Sequence, residues 1–253
     1  AGVATATVVS ECISAVLIVQ CLARSDSAYR LCREKMRITE SKVKQIMKIG
    51  LPAGFQGAIF SVSNVLIQSS INSFGSIAMA GSTASANVEG FVYNAMNAVY
   101  QTTLSFTSQN YGAGKMDRVT KILLDCLGLV VLVGVVMGGG AVLLGPKLLQ
   151  IYSSDPEVIS YGMMRMRIIN GSYFLCGIMD TMVGGLRGLG YSVVPMLVSL
   201  TGACLFRVVW IQFLLPFFSG IEGVFILYPV SWGLGALLMI LYAWKGKWME
   251  YHT

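Results

Sequence analysis

Residues 119–150 read VTKILLDCLGLVVLVGVVMGGGAVLLGPKLLQ, thirty-two positions whose only charges, Lys121, Asp125 and Lys147, sit toward the two ends. A bilayer core takes about 20 apolar residues to cross as a helix, so this stretch is long enough to span one. The rest of the chain repeats the pattern. Hydrophobic residues make up 55% of it and charged residues 12%, with a mean hydropathy of +0.69. Water-facing domains carry about 25% charged residues. The surface of most of this chain is therefore expected to meet lipid.

Seven apolar runs are long enough to read as spans, at about 1–23, 50–74, 77–108, 119–150, 157–187, 191–216 and 222–244. The expected fold is an all-α polytopic helical bundle of about seven transmembrane helices. The net charge of +6 does not point to nucleic acid, because eight of the 18 basic residues lie between Arg24 and Lys48 and most others fall in short gaps between apolar runs. Lys and Arg in alternate connections mark the cytoplasmic side. The 24–48 segment, the loop at Lys115, Arg118 and Lys121, Arg187, and the tail with Lys245 and Lys247 hold fourteen basic residues. The opposite connections, NSFGS, SSDPE and FFSGIEG, hold none, with only Lys147 close by. Residue 1 is thus expected on the outer side, and 24–48 is expected to be a basic inner linker, partly helical and in touch with anionic lipid.

The chain opens AGVATATVVSECISAVLIVQCLARS, without the basic n-region of a signal peptide. That stretch can be laid on SGIEGVFILYPVSWGLGALLMILYAWKG near the other end. Each starts with a small residue, continues aliphatic and leaves through a basic residue. A six-span unit preceded by the last span of a similar unit is what half of a duplicated transporter would give. The division expected is a first-lobe helix at 1–23, an inter-lobe linker at 24–48, and a six-helix lobe with a short tail at 49–253.

Several enzyme classes lack their residues here. The single His, His252, is in the last three positions, and the six Cys show no CxxC spacing, so neither a metal site nor disulfides are expected. NYGAGK lacks the Walker spacing and a preceding strand. No paired-Asp motif for an intramembrane enzyme occurs.

Ionisable residues inside spans are candidates for function: Glu11, Glu89, Arg165, Arg167, Asp180 and Arg207. In the third span Ser85, Glu89, Tyr93, Asn97, Gln101 and Ser105 recur every four residues and form one polar stripe. The second span echoes it with Ser61, Asn64, Gln68 and Asn72. Two such stripes bury against each other as interhelical glue or line a water-filled cavity, since lipid would leave them unsatisfied. Glu89 reads either as a functional carboxylate or as the partner of an Arg in the fifth span. Asp180 and Arg187 share a face, Arg187 belonging to an inner turn. Arg165 and Arg167, two apart, point in different directions. Met163, Met164, Met166, Met179 and Met182 read as core packing or as a soft pocket.

Four segments, in this order, carry a family likeness. They are KIGLPAGFQ at 48–56, SFTSQNYGAGKMDRVTKILL at 105–124, IYSSDPEVISYGMMRMRI at 151–168 and GGLRGLGYSVVPM at 184–196. They resemble the second lobe of multidrug and toxin extrusion (MATE) transporters: its Gly-Leu-Pro entry, its Ser-Gln…Gly-Ala-Gly turn, its outer Asp-Pro-Glu helix start, and its Gly-x-Leu-Arg-Gly-x-Gly turn before a Pro. Physical chemistry asks for the same residues. Gly112 and Gly114 permit positive φ, Asp117 suits a helix start, and Asp155-Pro156-Glu157 reads as N-cap, first-turn Pro and first-turn acid. Pro195 belongs in the first turn of the sixth span.

The resemblance implies a multidrug efflux antiporter rather than an enzyme. It would export organic, often cationic compounds in exchange for H⁺ or Na⁺ from a plasma membrane, a bacterial inner membrane, with no cofactor beyond the coupling ion. The expected partners are membrane lipid, drug-like molecules and a first lobe. Glu89 and Asp180 are the ion-coupling candidates, with Asn64, Gln68, Tyr93, Asn97 and Arg165 lining the cavity. One branch of the family carries a Glu near the positions held here by Phe60 and Ser61, and that acid is absent. Two alternatives remain open: a flippase for a lipid-linked precursor, to which Arg165, Arg167 and Arg207 would be suited, and a half-transporter with only an assembly role.

Overall fold

The computed structural model describes residues 2–25, 30–31, 37–218 and 220–245. Parts of the linker, including Cys32, Arg33 and Lys35, and the tail with Lys247 and His252 lie outside the described residues. Among the described residues every regular element is helical, with no strand. The order is α1 (Gly2–Arg24), α2 (Glu40–Asn72), α3 (Ser76–Gly112), α4 (Met116–Gln150), α5 (Pro156–Gly171), α6 (Tyr173–Gly188), α7 (Val193–Ser199), α8 (Phe206–Val209) and α9 (Glu222–Lys245). A π-helical stretch, Leu200–Leu205, joins α7 to α8, and a second, Trp210–Leu214, follows α8.

The chain divides into two compact units, Ala1–Met47 and Lys48–Thr253. In the first unit α1 is apolar and exposed along its length, with Val9, Ile13, Leu17 and Ile18 uncovered. The Leu31 N–H donates to the Leu22 carbonyl at 3.0 Å, and Lys44 pairs with Glu40 at 2.6 Å one turn apart. The expected partial helicity of the linker begins at Glu40, so α2 starts ten residues before the apolar run does.

In the second unit α3 packs against α4, α5 and α6, α4 packs on α5 and α6, and α9 closes over α5 and α6. The shared core is built from Ile67, Ile71, Val92, Val130, Leu149, Met166, Ile169, Val224, Phe225 and Leu227, all essentially buried. Within a membrane, helices approach through small residues rather than by excluding water, and that is how these meet. A methyl group on Gly81 would strike the Val158 carbonyl and Tyr161 of α5, and one on Gly134 would lie 2.9 Å from Phe174 Cα of α6. One on Gly188 would meet Thr107 Cβ of α3 at 2.7 Å.

Among the described residues, five helical segments are long and apolar enough to cross a membrane: α1, α2, α4, the stretch at 193–217, and α9. Two of the seven expected spans fall short for physical reasons. The polar stripe lowers the hydropathy of α3, although its 37 residues are ample in length. The fifth span, expected as one helix over 157–187, breaks at Ser172 (φ −112°, ψ 8°) into α5 and α6 of 16 residues each. The Ser172 hydroxyl bonds back to the Ile168 and Ile169 carbonyls at 2.7 and 3.1 Å, a contact that bends helices.

The expected turn chemistry is present. Asp155 caps α5 by accepting the Glu157 N–H at 2.9 Å, with Pro156 opening the helix. Gly114 takes φ +71°, and Lys115 N–H reaches back to the Asn110 carbonyl at 2.9 Å. Gly112, also expected to use positive φ, instead ends α3 in helical conformation; one left-handed residue suffices for the turn. Beside Pro52, the Ile49 carbonyl accepts the Ser192 hydroxyl at 2.8 Å, tying α2 to the start of α7.

Candidate functional site

A cavity of about 570 Å³ opens inside the second unit, within the range of about 300–1,000 Å³ typical of small-molecule sites. All of the ion-coupling and cavity candidates line it: Asn64 and Gln68 from α2, Glu89, Tyr93 and Asn97 from α3, Arg165 from α5, and Asp180 from α6. The two polar stripes therefore converge on one space. Spacings of four on α3 place Glu89, Tyr93 and Asn97 one above another. Gln101 and Ser105, further along the same stripe, lie beyond it, where Ser105 accepts from Gln109 at 3.2 Å. Glu11, a candidate by depth alone, lies exposed on α1 in the other unit.

Glu89 and Arg165 form a buried bidentate pair. Arg165 Nε donates to Glu89 Oε1 and Nη2 to Oε2, each at 2.8 Å, while Nη1 donates to Ser82 Oγ at 2.7 Å. Ser85 Oγ donates to Glu89 Oε1 at 2.9 Å. Fork-to-fork geometry of this kind is the strong form of a charged hydrogen bond. Of the two readings of Glu89, the geometry realises the one that gives it an Arg of the fifth span. Arg167, two residues on, is exposed, so the opposite aims of the two Arg hold.

Asp180 has a different environment. Cys176 Sγ lies 3.8 Å from its Oδ2 as a weak donor, and no cationic side chain is within ion-pair distance among the described residues. It is a half-buried carboxylate facing the cavity, with no ion-pair partner among the described residues.

Three groups were undervalued from the sequence. Arg187, read as part of an inner turn, lines the cavity and donates to Tyr100 Oη at 2.8 Å and Gln56 Oε1 at 2.7 Å. Its spacing of seven from Asp180 was the available signal. Arg207 is only 2% exposed and donates to Asn64 Oδ1 and Ser231 Oγ, both at 3.3 Å. The third is an aromatic wall of Phe60, Tyr173, Tyr228 and Trp232. Tyr173 meets Trp232 edge-on at 5.2 Å. Phe60, near the position where one branch carries an acid, lies 5.7 Å from the Arg207 guanidinium carbon. Among the methionines, Met179 lines the cavity and Met163, Met166 and Met182 are core.

Helices that meet through glycine, with polar stripes turned onto a charged cavity rather than onto lipid, define a polytopic membrane protein of the transporter class. The MatE family model matches residues 52–211, and the chain belongs to that family. It is 23% identical over 248 residues to a probable multidrug resistance protein NorM of Thermotoga maritima, covering 98% of this chain and 53% of that protein. It is 22% identical over 225 residues to a probable multidrug resistance protein YoeA of Bacillus subtilis, covering 85% and 47%. The chain spans about half the length of the curated relatives it matches. A crystal structure of a mutant of the MATE transporter VcmN of Vibrio cholerae shares the fold, with a TM-score of 0.85 at 20% identity over 97% of this chain and 56% of that one.

Proposed function

We propose that this chain is the second lobe of a multidrug efflux antiporter, with α1 the last helix of a first lobe and the 24–48 segment the inner linker between them. The complete protein would export organic, often cationic compounds in exchange for H⁺ or Na⁺ across a bacterial inner membrane. The observation that carries this reading is the cavity, in which the Asp180 carboxylate has no ion-pair partner among the described residues and stands beside aromatic and amide side chains. Family membership and the names of the relatives support it.

Antiport needs a group that binds the coupling ion more tightly in one conformation than in the other. A carboxylate already engaged by a guanidinium must give up that partner before it can hold an ion. Asp180 has no such debt. Between the two candidates, the geometry favours Asp180 for the coupling ion and Glu89 for holding α3 to α5. Tyr93, Asn97, Asn64 and Gln68 would supply neutral oxygens and amides to a bound compound or to the ion's remaining coordination.

The test is drug efflux by the complete protein in vesicles under imposed proton and sodium gradients. Asp180→Asn is expected to abolish gradient-driven efflux while leaving compound binding within a few-fold. Coupling that persists in Asp180→Asn would overturn this assignment. The second reading, a flippase for a lipid-linked precursor, draws on the three guanidinium groups of the cavity. Translocation of an anionic lipid without ion-dependent drug efflux would favour it.

A further inference from the structure

The three guanidinium groups in the cavity are not equivalent. Arg165 is neutralised by Glu89 with bonds of 2.8 Å. Arg187 is held by short bonds to two neutral oxygens, Tyr100 Oη and Gln56 Oε1. Its Nε is buried without a hydrogen-bond partner, but both outer nitrogens of that guanidinium are engaged, whereas Arg207 is held only by the longest bonds of the three. Its two hydrogen bonds are 3.3 Å long and go to neutral acceptors. One of those acceptors, Ser231, gives its own proton to the Tyr228 carbonyl at 2.9 Å. The remaining contacts of Arg207 are ring faces, Tyr228 at 5.0 Å and Phe60 at 5.7 Å. No carboxylate lies within ion-pair distance of it among the described residues.

A buried cation within a membrane is costly unless something offsets its charge. Ring faces and neutral dipoles offset part of it. The wider cavity offsets it only in part, because three guanidinium groups face two carboxylates, Glu89 and Asp180, and Glu89 is already engaged. The backbone around Arg207 is unusual as well. Its helical turn lies between two π-helical stretches, Leu200–Leu205 and Trp210–Leu214. Such bulges concentrate where a side chain is re-aimed for function.

We propose that the Arg207 end of the cavity is a subsite for the anionic group, a carboxylate, sulfonate or phosphate, of an amphipathic organic compound whose apolar body lies along Phe60, Tyr228 and Trp232. The inference rests on reading the cavity as the compound-binding space and adds a second pole to it, opposite in sign to Asp180. Asn64 flanks the subsite from α2 and the Ser231 hydroxyl from α9.

The test uses the full 253-residue chain in nanodiscs and equilibrium dialysis with 2-naphthoate, beside its neutral isostere 2-naphthamide. In phosphatidylcholine the wild type is expected to prefer the anion by at least about tenfold, a modest demand on one charge pair away from bulk water. Arg207→Gln should bring the ratio close to one, and Arg207→Lys should keep most of it. Asn64→Asp guards against a variant that merely fails to fold. It supplies an internal counter-ion to Arg207, should raise the thermal midpoint, and should abolish the preference. A wild-type ratio near one, or a ratio unchanged in Asn64→Asp, overturns the proposal. Phosphatidylglycerol in place of phosphatidylcholine separates the sources. Suppressed naphthoate binding assigns the subsite to a lipid phosphate, and undiminished binding assigns it to a soluble anion. Failure of this inference differs from failure of the antiporter reading: a ratio of one with ion-driven efflux intact sinks the subsite alone, and an intact ratio without efflux sinks the antiporter alone.

Discussion

Replacing Glu89 with Gln removes one charge and almost no volume, so it isolates the electrostatics of the α3–α5 contact. In the native arrangement Glu89 accepts from Arg165 Nε, Arg165 Nη2 and Ser85 Oγ at 2.8, 2.8 and 2.9 Å. A Gln at this position keeps one carbonyl oxygen but turns an amide N–H₂ toward a guanidinium N–H, two donors face to face. Arg165 retains Ser82 and its approach to the Phe225 and Tyr228 rings at 5.8 and 5.7 Å, which leaves its charge unpaired. Breaking a buried pair by removing one member costs about 3–5 kcal/mol. With a midpoint shift of about 2–4 °C per kcal/mol for a chain of this size, thermal unfolding followed by tryptophan fluorescence in detergent should drop by about 6–20 °C. Glu89→Leu combined with Arg165→Met removes both charges and should unfold nearer the wild type than either single variant, with a coupling of at least about 2 kcal/mol. If Glu89→Gln lies within about 1 kcal/mol of the wild type, or if the double variant equals the sum of the singles, the pair does not hold α3 to α5 and Glu89 returns as a candidate for coupling.

Gly81→Ala should lose about 1–3 kcal/mol by overpacking, because the new methyl meets the Val158 carbonyl and Tyr161, whereas Gly90→Ala on the same helix, with open space around it, should be neutral or slightly stabilising in the same unfolding assay. Asp155→Ala should lose about 1 kcal/mol with its cap on the Glu157 N–H, and hydrogen exchange should rise in the first turn of α5 while α6 stays unchanged.

The fold was legible because lipid leaves few options for a backbone, and helix length with basic loops nearly fixes the arrangement. The site was legible to the extent that its residues share a helix face. Glu89, Tyr93 and Asn97 on α3, and Asn64 and Gln68 on α2, showed two polar stripes by periodicity alone, and those stripes read as interhelical glue as well as a cavity lining. The spacing did not reveal the partner of Glu89, because Arg165 and Arg167 offered two aims and only packing chose between them. The break at Ser172 left no mark in hydropathy, since serine bonding back to its own helix reads as an ordinary small residue. Arg207 was a candidate by depth, but its partners stayed hidden for a related reason. Its aim depends on π-helical turns that change the register, and no residue pattern in LTGACLFRVVWIQFL encodes them visibly.

The low hydropathy of α3 bears on how the chain enters a membrane as well as on how it rests there. An acidic residue at the centre of a span costs about 2.5–3.5 kcal/mol on insertion scales, and α3 adds a stripe of amides and hydroxyls to Glu89. Released sideways into lipid by itself, α3 would be a poor passenger. Its natural counter-charge, Arg165, emerges from the ribosome 76 residues later, after the apolar α4 has been made. The order of synthesis thus calls for α3 to wait, sheltered beside the insertion machinery or against α4, until α5 arrives and the two charged helices enter together. The ion pair that joins α3 to α5 in the finished fold thus makes the membrane entry of α3 cheapest when α5 is at hand.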